Sequence, residues 1–314
     1  MYAIGVDIGG TKIAAGVVDE DGVILAKAKR KTAARDAAEI DRAVADLYTE
    51  LAAQYEVSAL GVAAAGFIGS DRATALFGAN IAWRDYPLRD RIAELVADDV
   101  RIVVENDANA AGWAEFQFGV GRDVDDMLLL TVGTGLGGAL VVGGRLVRGA
   151  WGVAAEVGHL RVVPQGHQCG CGLHGCWEQY ASGSALVREA RAAAAAHPSR
   201  ATRLVELADG RPDKVSGPSV TQAAKEGDPL SIELLAELGR WIGEGSASVA
   251  ALLDPALVVI GGGVGAAGDL LLEPARAAYL SQLSGRGFRP EARIELAAMG
   301  NDAGIVGAAD LARL

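Results

Sequence analysis

The chain has 314 residues, of which 51% are hydrophobic, with a formal net charge of −11 at pH 7 and a pI of about 4.9. This length favours two domains over one core, and the acidic balance argues against binding to nucleic acid or to anionic membranes. No run is long and apolar enough to predict a membrane span. The opening residues lack the pattern of a signal peptide, so the sequence predicts a cytoplasmic enzyme.

The first part of the chain alternates strand and helix patterns. Apolar residues recur at every second position in Ile4, Val6 and Ile8, which is typical of a half-buried strand. The pair Asp21-Gly22 is a hairpin signal. The elements predicted here are strands at 2–8, 13–18, 23–29, 60–64 and 102–105, and helices at 38–55 and 107–118.

The middle of the chain repeats this opening. The order strand, glycine turn, strand, tight turn, strand occurs at 4–28 and again at 128–147. This repetition indicates an internal duplication of a supersecondary unit. The elements predicted from here on are strands at 127–132, 139–142, 145–147, 158–163, 257–260 and 294–298, and helices at 178–195, 229–253 and 303–313.

The first glycine turn has the groups that a phosphate needs. Its run is Asp7-Ile8-Gly9-Gly10-Thr11-Lys12. Glycines let backbone N–H groups approach a phosphate closely, and the threonine and lysine add donors. The Asp7 carboxylate could orient Mg²⁺ or its waters. An ordinary hairpin turn explains this motif alone equally well.

Two later glycine runs, at 133–138 and 263–268, match the pattern G-x-G-x-x-G. The pattern marks a dinucleotide-binding fold only when it follows a strand, opens a helix and has an acidic residue about 20 positions further on. The first run precedes a strand. The second follows a strand and precedes a helix, but it lacks that acidic residue in a matching unit. We therefore interpret both runs as phosphate or purine contacts, with a nucleotide held between two lobes.

Asp107 stands at a predicted helix start in the run Glu105-Asn106-Asp107-Ala108-Asn109. The helix dipole stabilises its ionised form, and an ionised aspartate can accept a hydroxyl proton as that oxygen attacks a phosphorus. Helix capping alone would also explain an Asn-Asp pair, and it is the stronger interpretation of this feature in isolation. The neighbouring Asn106 and the glycine turns favour the catalytic interpretation.

A cluster of thiols predicts a metal site. The three cysteines of the chain lie within eight residues: Cys169, Cys171 and Cys176. Three thiols and one imidazole complete a tetrahedral Zn²⁺ shell, and a reducing compartment favours a metal over a disulfide. His159, His167 and His174 are the candidate fourth ligands. We favour His159 because it follows Glu156 on a strand-like segment, which makes His167 and His174 solvent-facing loop residues.

Two carboxylates, Glu156 and Glu178, flank this predicted metal site. A zinc ion with four protein ligands has no open position, so its role would be structural. The second ring nitrogen of His159 could then donate to a ligand hydroxyl, while the two glutamates accept hydroxyl protons. A sugar-binding site needs donors and acceptors of this kind, since each sugar hydroxyl both donates and accepts a hydrogen bond.

Taken together, these motifs resemble the ROK family (repressors, unknown frames, kinases), and within it the bacterial glucokinases. The resemblance covers essentially the whole chain. It is carried by the runs 7–12, 105–111, 133–138, 156–159, 169–178 and 261–263. It implies an actin-like, ribonuclease-H-like α/β sugar kinase with duplicated βββαβα units and a central cleft. The implied domains are a smaller one at 1–108 plus 300–314 and a larger one at 109–299 that carries the zinc loop.

The resemblance further implies ATP-dependent phosphorylation of glucose to glucose 6-phosphate in glycolysis, with Asp107 as general base on the sugar 6-hydroxyl. The implied sugar ligands are Gly66, Asn80, Asn106, Asp107, Glu156, His159 and Glu178. The implied site for ATP with Mg²⁺ comprises Asp7, Gly9, Gly10, Thr11, Lys12, Thr134, Gly135, Gly261, Gly262 and Gly263. The predicted metal ligands are His159, Cys169, Cys171 and Cys176 around a structural Zn²⁺. Members of this type are usually homo-oligomers, so we expect a homodimer or homotetramer.

Several rival functions remain at this point. A ROK kinase for N-acetylglucosamine, N-acetylmannosamine, mannose or fructose differs from a glucokinase mainly at the sugar 2-position, which the sequence does not resolve. Polyphosphate as donor is disfavoured by the acidic chain. A sugar-sensing regulator is disfavoured by Asp107 and the glycine turns, and by a first strand at residue 2 that leaves no room for a helix-turn-helix. The duplicated hairpins disfavour a nicotinamide dehydrogenase.

Overall fold

A computed structural model describes residues 1–314 of the chain, which forms two compact units. The first unit comprises Met1–Asp125, Ala139–Ala155 and Ala298–Leu314, and the second comprises Asp126–Gly138 and Glu156–Ala297. This division into units rests on packing alone. The domain limits that the family resemblance implies are a different quantity, and they stay a prediction. No helix has both the length and the apolar character that crossing a membrane requires.

Eight strands and three helices form before residue 118. They are β1 Tyr2–Ile8, β2 Lys12–Val18, β3 Ile24–Lys31, α1 Ala37–Ala52, β4 Val57–Ala64, β5 Phe67–Ile68, β6 Ala75–Phe77, β7 Arg84–Tyr86, α2 Leu88–Ala93, β8 Arg101–Asn106 and α3 Asp107–Gln117.

The rest of the chain adds five strands and six helices. They are β9 Met127–Val132, β10 Leu136–Val142, β11 Arg145–Leu146, α4 Gly183–Ala196, α5 Thr202–Glu206, α6 Gly217–Lys225, α7 Pro229–Leu253, β12 Leu257–Gly261, α8 Asp269–Gln282, β13 Arg293–Leu296 and α9 Ala303–Arg313. Short 3₁₀ helices occur at Val157–His159, Trp177–Gln179, Pro198–Arg200, Pro212–Lys214, Gly263–Ala267 and Gly300–Asp302.

Two five-stranded sheets have the same strand order. The first is β3-β2-β1-β4-β8, and the second is β11-β10-β9-β12-β13. In the first sheet β1 pairs antiparallel with β2 and parallel with β4, which pairs parallel with β8. In the second sheet β12 pairs parallel with both β9 and β13. The predicted duplication is therefore confirmed at the level of topology.

Helix α9 packs closely on the first sheet because two strand positions have no side chain. A Cβ atom at Gly5 would lie 1.8 Å from the Ile305 carbonyl oxygen, and one at Gly61 would lie 1.8 Å from the Ala308 carbonyl oxygen. No side chain fits at such a distance, so both positions require glycine. The apolar side of α9, including Ile305, thereby completes the core of the first unit.

The strand expected at 158–163 is wrong. Residues Val157–His159 form a 3₁₀ turn, and Arg161 makes only an isolated bridge, with Cys176. The backbone N–H groups of Val162 and Val163 both donate to the Gly175 carbonyl oxygen. The partner of this segment is therefore the cysteine loop rather than a neighbouring strand, which apolar alternation alone could not reveal.

The helix expected at 178–195 begins later than predicted. Ser182 caps α4 by accepting a hydrogen bond from the Ala185 N–H at 3.1 Å, so the helix starts at Gly183. Glu178 lies instead in the separate 3₁₀ turn Trp177–Gln179. The sequence analysis also missed the small sheet β5-β6-β7 and helices α2, α5 and α6, because elements of two to nine residues carry little periodic signal.

Candidate active site

The side chain of Asp107 lies at the junction of β8 and α3 in the first unit. Asn106 caps α3, since its Oδ1 accepts a hydrogen bond from the Asn109 N–H at 3.0 Å. Asn106 Nδ2 donates to the Gly66 carbonyl oxygen at 3.0 Å and to Asp107 Oδ1 at 3.2 Å. The capping role thus falls on Asn106, and the Asp107 carboxyl group remains available for chemistry.

The surroundings of Asp107 raise the pKa of its carboxyl group to about 6. Burial is the largest cause, and the negative charge of Asp7 adds to it. Hydrogen bonds from the Ala108 N–H at 2.9 Å and from Asn106 oppose the shift, and both are accepted by Oδ1. A carboxylate with a pKa near 6 is ionised at neutral pH and basic enough to accept a proton from a hydroxyl.

Asp7 lies close to this carboxyl group, near the end of β1. Burial raises the pKa of Asp7, and the charge of Lys12 opposes that shift. A Cβ atom at Gly304 would lie only 3.2 Å from Asp7 Cγ, so the glycine leaves space beside the carboxyl group. Two nearby acidic groups with raised pKa values fit a site for a cation such as Mg²⁺.

The first glycine turn is held by its own backbone and by Thr32. The Gly9 N–H donates to the Lys12 carbonyl oxygen at 3.0 Å, and Thr32 Oγ1 donates to the Gly9 carbonyl oxygen at 2.7 Å. A Cβ atom at Gly10 would meet Asn80 Cβ at 3.8 Å, so Asn80 lies beside the turn. The first unit therefore brings together residues expected to bind ATP and residues expected to bind sugar.

The second unit contains the expected metal site. One ligand atom from each of His159, Cys169, Cys171 and Cys176 lies within 4.8 Å of the other three. The Sγ atoms of Cys171 and Cys176 are 3.6 Å apart, and Cys169 Sγ is 3.8 Å from His159 Nδ1. Sulfur and nitrogen ligands of one tetrahedral Zn²⁺ are about 3.5–3.8 Å apart, so this Cys₃His cluster fits zinc.

The three thiols need a nearby positive charge in order to ionise together. Burial and hydrogen bonds with Cys171 and Cys169 raise the pKa of Cys176 to about 12. Three adjacent thiols do not ionise together at neutral pH without a positive charge, which Zn²⁺ supplies. His167 and His174 are exposed and outside the cluster, as expected.

Two glutamates lie close to the Cys₃His cluster. Glu178 Oε2 accepts a hydrogen bond from the Leu136 N–H at 3.1 Å, and its Oε1 is 3.8 Å from Cys169 Sγ. A Cβ atom at Gly135 would lie 2.2 Å from Glu178 Oε2, so only glycine leaves room for this carboxylate. Glu156 is half-buried, and its carbonyl oxygen accepts from the His159 N–H at 3.0 Å.

A cavity of about 940 Å³ lies in the second unit. Thr134 and Gly263 line it, together with residues of α4 and α6 that include Arg191 and Lys225. This volume is within the range of small-molecule sites, and these two cations, with Arg188 of α4 as a third, suit an anionic ligand. The sequence analysis missed α4 and α6 as parts of the site because they carry no motif, only basic residues on helix surfaces.

The other glycines expected at the ATP site have different surroundings. Gly135 faces Glu178, as described above. Gly261 is buried at the end of β12. Gly262 has a φ of +84°, and a Cβ atom there would lie 2.4 Å from the Val132 carbonyl oxygen, so a side chain is excluded. Of the run 261–263, only Gly263 lines the cavity.

A model of the ROK family matches residues 3–314. The chain belongs to the ROK family. It is 49% identical to a glucokinase of Streptomyces coelicolor over 99% of this chain and 97% of that protein. The structure of a ROK family glucokinase from Streptomyces griseus in complex with glucose and AMPPNP is similar, with a TM-score of 0.91, 49% identity and coverage of 100% of this chain and 99% of that one.

A kinase named for another sugar is also similar to the chain. An N-acetylmannosamine kinase of Yersinia pestis bv. Antiqua is 34% identical over 84% of this chain and 83% of that protein. The similarity to the Streptomyces glucokinases is therefore higher in identity and extends over more of the chain. The expected fold class, an actin-like or ribonuclease-H-like ROK sugar kinase, is confirmed by the structural match.

Proposed function

We propose that this chain is an ATP-dependent glucokinase, which converts glucose and ATP to glucose 6-phosphate and ADP. The observation that carries the proposal is the Asp107 carboxyl group. Burial and the charge of Asp7 raise its pKa to about 6, in a chain 49% identical to a glucokinase. A base of this strength suits proton transfer from an alcohol during its phosphorylation near neutral pH.

In the proposed reaction, Asp107 accepts the proton of the sugar 6-hydroxyl as that oxygen attacks the γ-phosphorus of ATP in line. The bond between O6 and the γ-phosphorus forms, the bond between that phosphorus and the β,γ-bridging oxygen breaks, and ADP leaves. Asn106 and the Ala108 N–H hold Asp107 Oδ1, at 3.2 and 2.9 Å. Positioning and charge neutralisation account for most of the rate enhancement in such reactions.

We assign the sugar hydroxyls to a mixed set of acceptors and donors. The assigned residues are Gly66, Asn80, Asn106, Glu156, His159 and Glu178. Glucose presents several hydroxyls that each donate and accept, and two carboxylates, two amides and a ring nitrogen match this need. With His159 Nδ1 directed to the thiols, its Nε2–H is the donor toward sugar.

We assign the nucleoside of ATP to the 940 Å³ cavity of the second unit and the phosphates to the turns Gly9–Lys12 and Thr134-Gly135. Mg²⁺ bound with ATP supplies positive charge at the terminal phosphates, and Asp7 would hold it directly or through its waters. Zn²⁺ in the Cys₃His cluster is assigned a structural role because all four positions are protein ligands.

A cytoplasmic location and assembly into a homodimer or homotetramer complete the proposal. Three clustered cysteines that form no disulfide favour a reducing compartment, which supports the location. The assembly rests on the resemblance to the family alone.

A coupled assay of ADP formation over a panel of hexoses tests the proposal. We expect a kcat/KM for glucose at least about tenfold above those for mannose, fructose, N-acetylglucosamine and N-acetylmannosamine. Preferential use of N-acetylmannosamine would assign the alternative that the Yersinia relative supports. No sugar-dependent ADP formation with any hexose would contradict both functions.

A further inference from the structure

Glu105 is a buried acidic residue to which the proposed reaction gives no role. It is 3% exposed and lies near the end of β8, two residues before Asp107. A buried charge is unfavourable unless it is paired and hydrogen-bonded. The partners of Glu105 therefore indicate what its carboxylate does.

One carboxylate oxygen of Glu105 holds the start of α3. Its Oε1 accepts hydrogen bonds from the Asn106 N–H at 3.1 Å and from Asn109 Nδ2 at 3.0 Å. Asn106 and Asn109 are also joined to each other as the capping pair of α3. Glu105 thus fixes both residues of the cap, and Asp107 and Ala108, whose N–H donates to the Asp107 carboxylate, lie between them.

The other carboxylate oxygen of Glu105 lies between two arginines. Arg148 Nε donates to Oε2 at 2.6 Å, and Arg72 Nε lies 3.7 Å from the same oxygen. Arg148 is itself held in a loop that closes where the Ala154 N–H donates to the Arg148 carbonyl oxygen at 3.0 Å. The charge of Glu105 is therefore compensated from a distant part of the sequence.

We propose that Glu105 is a positioning residue for phosphoryl transfer, which holds Asp107 in the orientation for proton acceptance through the Asn106–Asn109 cap and is itself held by Arg148. The inference rests on the proposed function. Asp107 Oδ1 is fixed by Asn106 Nδ2, so displacement of Asn106 would rotate the carboxyl group away from the hydroxyl. A displacement of about 1 Å at a reacting group can lower a rate by about a hundredfold.

The test compares Glu105→Gln with Glu115→Gln. Glu115 lies in the last turns of α3, is 1% exposed and accepts from the Met299 N–H at 2.7 Å, so it matches Glu105 in burial and in accepting a backbone N–H but lies at the far end of the helix from Asp107. We expect E105Q to lower kcat by about tenfold to a hundredfold, with the KM for ATP within about twofold of wild type. E115Q should lower the thermal midpoint but keep kcat within about twofold at a temperature where both variants are folded.

The pH profile gives a readout that a purely structural role would not move. Loosening of the α3 start admits water to Asp107, so the acidic limb of kcat/KM in E105Q should move below pH 6, towards the ordinary aspartate pKa. The limb of E115Q should stay in place. An E105Q enzyme with wild-type kcat and an unmoved limb would overturn the inference.

The arginine partner keeps the inference testable if E105Q does not fold. Arg148→Met should lower kcat in the same way, and Arg148→Lys, which keeps a cation beside Glu105, should recover part of the loss. Equal kcat in R148M and wild type would contradict the inference. Failure of the proposed function is distinguishable from failure of this inference, because in that case the wild-type chain itself forms no ADP with glucose.

Discussion

The β8–α3 junction and the segment 156–180 both present acidic groups, but they hold them by different means. At the junction, a strand runs directly into a helix, and hydrogen bonds from Asn106 and Ala108 fix Asp107. The segment 156–180 contains only two 3₁₀ turns and the isolated bridges Arg161–Cys176 and Gln168–His174. A strand that runs into a helix orients the base, whereas Glu178 lies in a short turn directly after the last cysteine and is held by the Leu136 N–H.

Because of this difference, sugar binding and the chemical step can be perturbed separately by mutation. Loss of the metal should weaken sugar binding and leave the base in place, while changes at the junction should act on the chemical step. Each of the following predictions perturbs one side of the comparison.

The largest effect is expected from Asp107→Asn. Removal of the base should lower kcat by about a thousandfold or more, while zinc content stays unchanged. The pKa of Asp107 is raised to about 6 in the folded protein. The contribution of this group to the free energy of unfolding is therefore fully present below about pH 4 and is lost as pH rises through 6. D107N should therefore increase the free energy of unfolding at pH 7.5 by about 1–3 kcal/mol, measured by urea unfolding. Residual activity near wild type would refute the base assignment.

Cys171→Ser should have the next largest effect. Loss of one thiolate should reduce bound Zn²⁺ well below about one per chain and raise the KM for glucose at least about tenfold, with a smaller change in kcat. Mass spectrometry of the metal and steady-state kinetics measure the two outcomes. His174→Ala is the control, since this exposed histidine of the same loop lies outside the cluster. Full zinc content in C171S would remove Cys171 from the ligand set.

Gly135→Ala should act on Glu178 without loss of metal. The added methyl group would lie 2.2 Å from Glu178 Oε2, so the carboxylate must move and its bond to the Leu136 N–H must break. We expect the KM for glucose to rise about tenfold at unchanged zinc content. Gly133→Ala in the same turn meets nothing within 4 Å and should leave the KM for glucose within about twofold. Similar glucose KM values for the two variants would argue against a sugar-binding role of Glu178.

The smallest effect concerns the coupling of Asp7 with Asp107. In the wild type, kcat/KM should fall as pH drops below about 6, because protonated Asp107 cannot accept a proton. Asp7→Asn removes the neighbouring negative charge and should move this limb to lower pH by less than about one unit. Rate measurements from pH 5 to 8 compare the two profiles. An acidic limb that moves to higher pH in D7N would show that a group other than Asp107 controls kcat/KM in this range.

Much of the fold follows from the sequence where local signals agree. The limits of β1, β9, α7 and α9 match the prediction, because alternation or helical periodicity coincides with turn or capping residues such as Asp228, whose side chain accepts from the Ser231 N–H. The Cys₃His residues were also predictable, since three thiols within eight residues rarely serve another purpose.

The unpredicted features depend on contacts between distant parts of the sequence. The strand expected at 158–163 failed because the cysteine loop, not a sheet, is the backbone partner of that segment. The Arg148–Glu105 pair joins residues 43 positions apart, and neither residue type reveals its partner. The cavity wall of α4 and α6 depends on how helices pack, which periodicity does not specify.

The late position of α9 in the sequence has a consequence for biosynthesis. The face of the first sheet at Gly5 and Gly61 leaves the ribosome long before the helix that covers it, whereas most of the second unit is continuous in sequence and can fold as it emerges. Nascent chains would therefore carry an unfinished N-terminal half with a bare apolar surface until residues 298–314 are translated. Chaperone capture and aggregation during translation should concentrate on that half.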